Sequence, residues 1–102
     1  MQKKATVVSE EEIRRLFADA KIMERVQAGE LVEIELDKRT PSPDYGQEEG
    51  TLSQYIAYRT KDGKTIAEVH QYLRKDSSLG GSHKPDPKML LHGGVVYRVS
   101  LK

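Results

Sequence analysis

Glu68, His70, Tyr72 and Arg74 occupy every second position of one short segment, EVHQYLR. In an extended strand that spacing sets all four side chains on one face, about 6.5–7 Å apart, close enough to share one substrate. Their types suit proton transfer on an anion. Glutamate is a general base, histidine a general acid near neutral pH, and arginine a clamp on developing negative charge. Tyrosine can stack a base or donate to a phosphate. Together they fit cleavage of an RNA phosphodiester without a metal. One group takes the ribose 2′-hydroxyl proton, another protonates the departing oxygen, and cations stabilise the charge on phosphorus. The spacing leaves open which of Glu68 and His70 is base and which is acid.

The element that must position these residues is a hairpin. Asp62-Gly63 lies between two alternating segments and predicts a two-residue type I′ turn. Opposed residues then sum to 125. Tyr55 falls opposite His70, Ser53 opposite Tyr72, Ala57 opposite Glu68, and Arg59 opposite Ile66. The pleat sorts the side chains onto two faces. Leu52, Ile56, Tyr58, Ala67, Val69 and Leu73 form an apolar face, with Gln54 and Gln71 near its open end. Ser53, Tyr55, Arg59, Glu68, His70, Tyr72 and Arg74 form a polar one. Tyr55 and Arg59 on that face are candidate binding residues. Arg98 and Lys102 join them if the last strand pairs beside the hairpin. His83 and Lys84 in the glycine-rich connection complete the binding set.

Gathering His, Arg, Glu and Tyr on the open face of a helix-plus-antiparallel-sheet domain resembles the small bacterial endoribonuclease and toxin group. The resemblance covers topology and residue types over about the last half of the chain. Those families share no tight sequence motif, so no role transfers position by position. The ordinary reading stands beside it: antiparallel sheets leave one face wet, and outward-alternating polar residues are what that requires.

The remaining elements follow from periodicity. Ser9-Glu10-Glu11-Glu12 predicts a helix start with a capping box, and Val8 and Ile13 occupy the staple positions. Ile13, Leu16, Phe17, Ala20, Met23 and Val26 form one apolar stripe, and Gly29 is the stop. A break near Ala18-Asp19 is compatible with the pattern and not demanded by it. Residues 31–37 alternate, with Val32, Ile34 and Leu36 facing one way and Glu33, Glu35 and Asp37 the other. That acidic row would repel phosphate on the polar face, or neutralise Arg59. Residues 40–51 read as an exposed loop, and 76–94 as a Gly/Pro-rich connection. Asp86 as N-cap and Pro87 at the first helical position predict one short helix within it. Val95–Leu101 reads as the closing strand.

The expected fold is thus a single α+β domain over 1–102, with residues 1–8 as an N-terminal arm. An amphipathic helix packs on one face of a four-stranded, mainly antiparallel sheet, in the order α-β-β-β-(short α)-β. The chain has no cysteine, which excludes a disulfide scaffold or a thiol nucleophile. No GxGxxG, phosphate-binding loop, nucleophile elbow or HExxH is present. His83, Asp86 and His92 match no metal-ligand spacing, so no metal or other cofactor is expected. No apolar run approaches a membrane span, and MQKKAT lacks the apolar stretch of a signal peptide. A cytoplasmic location without membrane association is therefore expected.

The net charge of +1 hides a split. Residues 1–50 carry 8 basic and 12 acidic side chains, a net −4, and residues 51–102 carry 9 and 4, a net +5. The first expectation is a binding module that engages a protein or RNA through the polar sheet face. The second is a metal-independent endoribonuclease, and the third a homodimer joined at a sheet edge by the last strand or the first.

Overall fold

A computed structural model describes residues 4–81 and 83–100. Its elements are β1 (Thr6–Val8), α1 (Glu10–Asp19), α2 (Ile22–Gln27), β2 (Leu31–Arg39), β3 (Leu52–Thr60), β4 (Thr65–Leu73), β5 (Asp86–His92) and β6 (Val95–Val99). The class is α+β, as expected, but the sheet has six strands rather than four, in the order β1-β6-β5-β4-β3-β2. All pairings are antiparallel except β1 with β6.

Both extra strands have physical reasons. Thr6–Val8, read as an arm, finds the free edge of β6 and pairs with Tyr97–Val99 in parallel. The last strand is therefore not a sheet edge, since β1 occupies that position. Asp86–His92, read as the start of a short helix, is a strand. Gly93 and Gly94 both take positive φ (58° and 76°), the geometry of a two-residue type I′ turn, and so fold β5 back against β6. Pro87 is tolerated because it lies near the strand start beside a bulge, where a missing N–H costs little.

Ser9 caps α1, its Oγ accepting from the Glu12 amide at 3.1 Å. The reciprocal half of the box yields to an ion pair, in which Arg15 donates to both Glu12 oxygens at 2.9 and 2.6 Å. The helix breaks where the pattern allowed it: α1 ends at Asp19, and Lys21 enters the left-handed region at φ 55° before α2 begins. Gly29 ends α2 at φ 80°.

The β3–β4 register matches the sum of 125 from Leu52↔Leu73 through Tyr58↔Ala67. The turn differs. Gly63 N donates to Thr60 O at 2.9 Å and Thr60 N to Lys64 O at 2.8 Å, which closes a three-residue loop with Gly63 at φ 95°. Arg59 consequently pairs with Thr65, not Ile66. The bulge restores the register and turns Ile66 into the core beside Ala67.

The core lies between the helices and one sheet face. Ile13, Ile22, Leu31, Ile56, Tyr58, Ala67, Val69 and Leu90 are buried together, with Leu16, Phe17, Met23 and Val26 packed on them. α1 lies over β5 and β6 and α2 touches β2, on which Val32 and Leu36 are 42% and 43% exposed. The β2 faces are the reverse of what its alternation suggests. Glu33 pairs with Tyr58 and Glu35 with Ile56 on the helix side, whereas Val32 and Ile34 oppose Arg59 and Ala57 on the open side. Leu31 is the apolar residue that anchors this phase. A bulge at Leu36 then brings Asp37 and Arg39 opposite Tyr55 and Ser53. The acidic row is split between the two faces and cannot neutralise Arg59. Burial, reinforced by Glu33, pushes the Tyr58 phenol up to about 12. No helix among the described residues is long and apolar enough to cross a membrane.

Candidate functional site

The face away from the helices collects side chains from four adjacent strands. Tyr55 and Ser53 come from β3, Glu68, His70 and Tyr72 from β4, Asp86 and Lys88 from β5, and Arg98 from β6. Cross-strand register aligns them, with Tyr55↔His70↔Asp86 in one row and Glu68↔Met89↔Arg98 in the next. Lys88 stands at the bulge that shifts β5 against β4.

His70 is the centre of this face. Its Nε2 lies 2.7 Å from Ser53 Oγ, and Tyr72 meets its ring edge to face with centroids 4.8 Å apart. Partial burial lowers the imidazole's affinity for a proton; the neighbouring Lys88 lowers it further, and Asp86 opposes both. The ring is therefore neutral at pH 7. Around it, Lys88 Nζ donates to Asp86 at 2.9 Å, and Arg98 lies 3.9 Å from Glu68. Burial and the nearby Glu68 carboxylate raise the Tyr55 phenol, against the pull of Arg98, so Tyr55 stays protonated.

Three hollows meet at His70. One of about 330 Å³ runs between Tyr55, Lys88 and Arg98. A second of about 410 Å³ passes Ser53 and Tyr72 to Arg39 and Tyr45. The third, about 190 Å³, is bordered by Arg14, Gly80, Gly81 and Lys84. Gly80, Gly81 and Lys84 thus frame the face at one side. Gly80 N donates to Tyr72 O at 2.9 Å, and a Cβ at Gly81 would stand 3.3 Å from the Tyr72 ring.

Of the expected set, Glu68, His70, Tyr72, Tyr55 and Arg98 come together. Arg74 leaves the strand and turns toward Glu48, 4.0 Å away. Arg59 lies at the turn end of the hairpin, where its Nε donates to Thr65 Oγ1 at 3.2 Å. His83 is exposed and its Nδ1 lies 3.0 Å from Leu79 O, so it does not reach the cluster. Lys84 borders only the third hollow among those at His70. Lys102 lies outside the described residues. Ser53 was on the polar face by the pairing arithmetic but carried no signal of its own. Asp86 and Lys88 were hidden by the helical reading of their segment. Arg39 and Tyr45 arrive through the Leu36 bulge and the loop that follows β2, neither of which periodicity reveals.

No group of three or more His, Asp or Glu among the described residues is placed to hold a metal ion. The arrangement defines a class, a small α+β domain with an open, mixed-charge sheet face centred on a neutral histidine. No family model, curated protein or solved structure matches the chain.

Proposed function

We propose that the open sheet face binds single-stranded RNA. The observation that carries this reading is the meeting of three hollows at His70, with tyrosines set between cations along them. Tyr45, 63% exposed, offers a ring on which a base can stack, and Tyr55 and Tyr72 continue the series toward the centre. Arg39 stands at one end of this path and Lys88 with Arg98 at the other, positions suited to successive phosphates. Pairing with Asp37, Asp86 and Glu68 keeps the cations aligned, and Arg39 and Arg98 remain more than half exposed to an incoming phosphate.

Fluorescence anisotropy of a labelled 12-nucleotide single strand tests this. Three phosphate contacts give a log–log salt slope of about −2. Arg98→Ala and Lys88→Ala each weaken binding several-fold and make the slope shallower by about 0.7. Arg59→Ala, committed to Thr65 away from the path, leaves both unchanged. Binding that is absent at low salt, or indifferent to Arg98 and Lys88, overturns the proposal.

A second reading, RNA cleavage by the same side chains, is favoured by the protonation states of His70 and Tyr55. A neutral imidazole would accept the 2′-hydroxyl proton as that oxygen attacks phosphorus, and the protonated Tyr55 would supply a proton to the departing 5′-oxygen. Arg98 and Lys88 would carry the charge on phosphorus. In the same samples, a cyclic-phosphate product formed in excess chelator and lost in His70→Gln would support cleavage. Intact RNA across pH 5–8 contradicts it and leaves the binding reading to its own test.

A further inference from the structure

A further concavity lies apart from the Tyr55–Lys88–Arg98 surface, between the two helices and the start of β5. Its volume of about 530 Å³ falls within the range of small-molecule sites. Phe17, Ala18 and Met23 form one side, and Pro85 and Pro87 the other, with Arg14 and Lys84 adding charge. No acidic side chain is among the described residues that line it. The walls suit a flat ring: phenylalanine and proline present planar or near-planar apolar surfaces, and a methionine sulfur favours an aromatic edge.

Arg14 supplies the second half of the recognition. Its guanidinium meets Glu10 at 3.6 Å and Asp86 at 3.4 Å, both longer than the 2.7–2.9 Å of a well-formed charge-assisted bond. Asp86 meanwhile holds Lys88 at 2.9 Å through its other oxygen. Arg14 is thus loosely held and keeps the planar fork that matches a carboxylate. The two flanking carboxylates disfavour a doubly charged phosphate at the same place. We propose that this cleft binds a small aromatic carboxylate, its ring between Phe17, Met23 and the two prolines and its carboxylate on Arg14. Arg14 and Lys84 also border the smallest hollow at His70, but the RNA path from Arg39 to Lys88 and Arg98 uses neither as a phosphate contact, so the two tests can fail separately.

Titration with 2-naphthoate, alongside neutral 2-naphthylmethanol, tests the proposal on the full chain. Naphthoate binds saturably at one site, and the alcohol binds about tenfold more weakly, because it lacks the charged bond to Arg14. Arg14→Met abolishes that difference. Ala18→Leu, at an exposed helix position, fills the cleft and weakens both ligands about tenfold or more. Thermal melts of the two variants establish that they remain folded. The proposal is overturned if naphthoate fails to saturate in the millimolar range, if the alcohol binds equally well, or if Ala18→Leu has no effect. A concentration-dependent dimer that Ala18→Leu dissolves, without naphthoate binding, would also overturn it by assigning the cleft to a second copy.

Discussion

His70 holds its place through two neighbours that differ in kind. Ser53 supplies a polar contact to Nε2, and Tyr72 supplies a T-shaped ring contact at 88°. Burial then disfavours the charged ring, with Lys88 adding repulsion and Asp86 only partly offsetting it. The sign of the consequence for stability is fixed. The folded pKa lies below the unfolded value of 6.5, so the unfolded chain binds the proton more readily. The stabilisation His70 gives by staying neutral is fully present above pH 6.5 and is lost as pH falls through the folded pKa. Denaturant melts at pH 7.5 and 5.5 should therefore show a larger acid-side loss in the wild type than in His70→Gln. Equal losses would contradict this account of the ring's environment. Glu68, His70 and Tyr72 were legible as neighbours because their spacing is a property of one strand. Asp86 and Lys88 were not, because what they do depends on which conformation an Asp-Pro dipeptide takes.

Two irregularities cancel to give the register on which the whole face depends. The hairpin loop is one residue longer than a type I′ turn, and the bulge at Ile66 shifts the ladder back by one. The alternation of 52–58 and 67–73 fixed this pairing because one face had to be buried, whatever the turn did. The bulge itself is local geometry with no periodic signature. β2 shows the opposite case. Its three aliphatic residues at 32, 34 and 36 suggest a core face, yet Leu31 is the one that reaches the core, because the register sends Val32 and Ile34 to the open side and leaves Leu36 at the bulge. β2 forms an edge of the sheet and carries charged side chains and the bulge at Leu36.

The glycine-rich turns and the helix break carry predictions of opposite sign. At Gly93, with φ 58° and open space around it, Ala would meet no atom and would suffer only the backbone penalty, about 1 kcal/mol. At Lys21, a non-glycine residue already bears that penalty at φ 55°, and its exposed pair with Glu24 at 3.9 Å contributes little. Lys21→Gly should accordingly stabilise by about 0.5–1 kcal/mol. Urea unfolding reads both variants. A stabilising Gly93→Ala or a destabilising Lys21→Gly would refute these turn assignments.

At the scale of the molecule, the sheet separates two kinds of surface. The helix side holds the apolar core, with Glu33 and Glu35 at its uncovered margin, where Glu35 accepts from Gln54 at 2.7 Å. The open side carries Tyr55, Tyr72, His70 and most of the strand cations, whereas Tyr58 and Tyr97 belong to the helix side. The chain's −4 and +5 halves are thus not opposite ends of one face, because the β2 register sends two of its three acids to the helix side. That removes the repulsion an acidic row would impose and leaves Asp37, paired with Arg39 at 2.7 Å, as the only acid of that row on the open face. Strands β2 to β6 lie in chain order, which was legible from successive hairpin signals once β5 is counted. The parallel docking of β1 was not, since a three-residue strand carries no period of its own.

The central claim is that the open face, and not the helices, meets RNA. Residue-resolved NMR of the labelled chain, titrated with a 12-nucleotide single strand at low salt, tests it most directly. The account predicts that signals of Tyr45, Tyr55, His70, Tyr72, Lys88 and Arg98 move together with one saturation curve, while those of Ile13, Ile22 and Val26 stay in place. Shifts confined to α1 and α2, or none at RNA concentrations that saturate anisotropy, would contradict it.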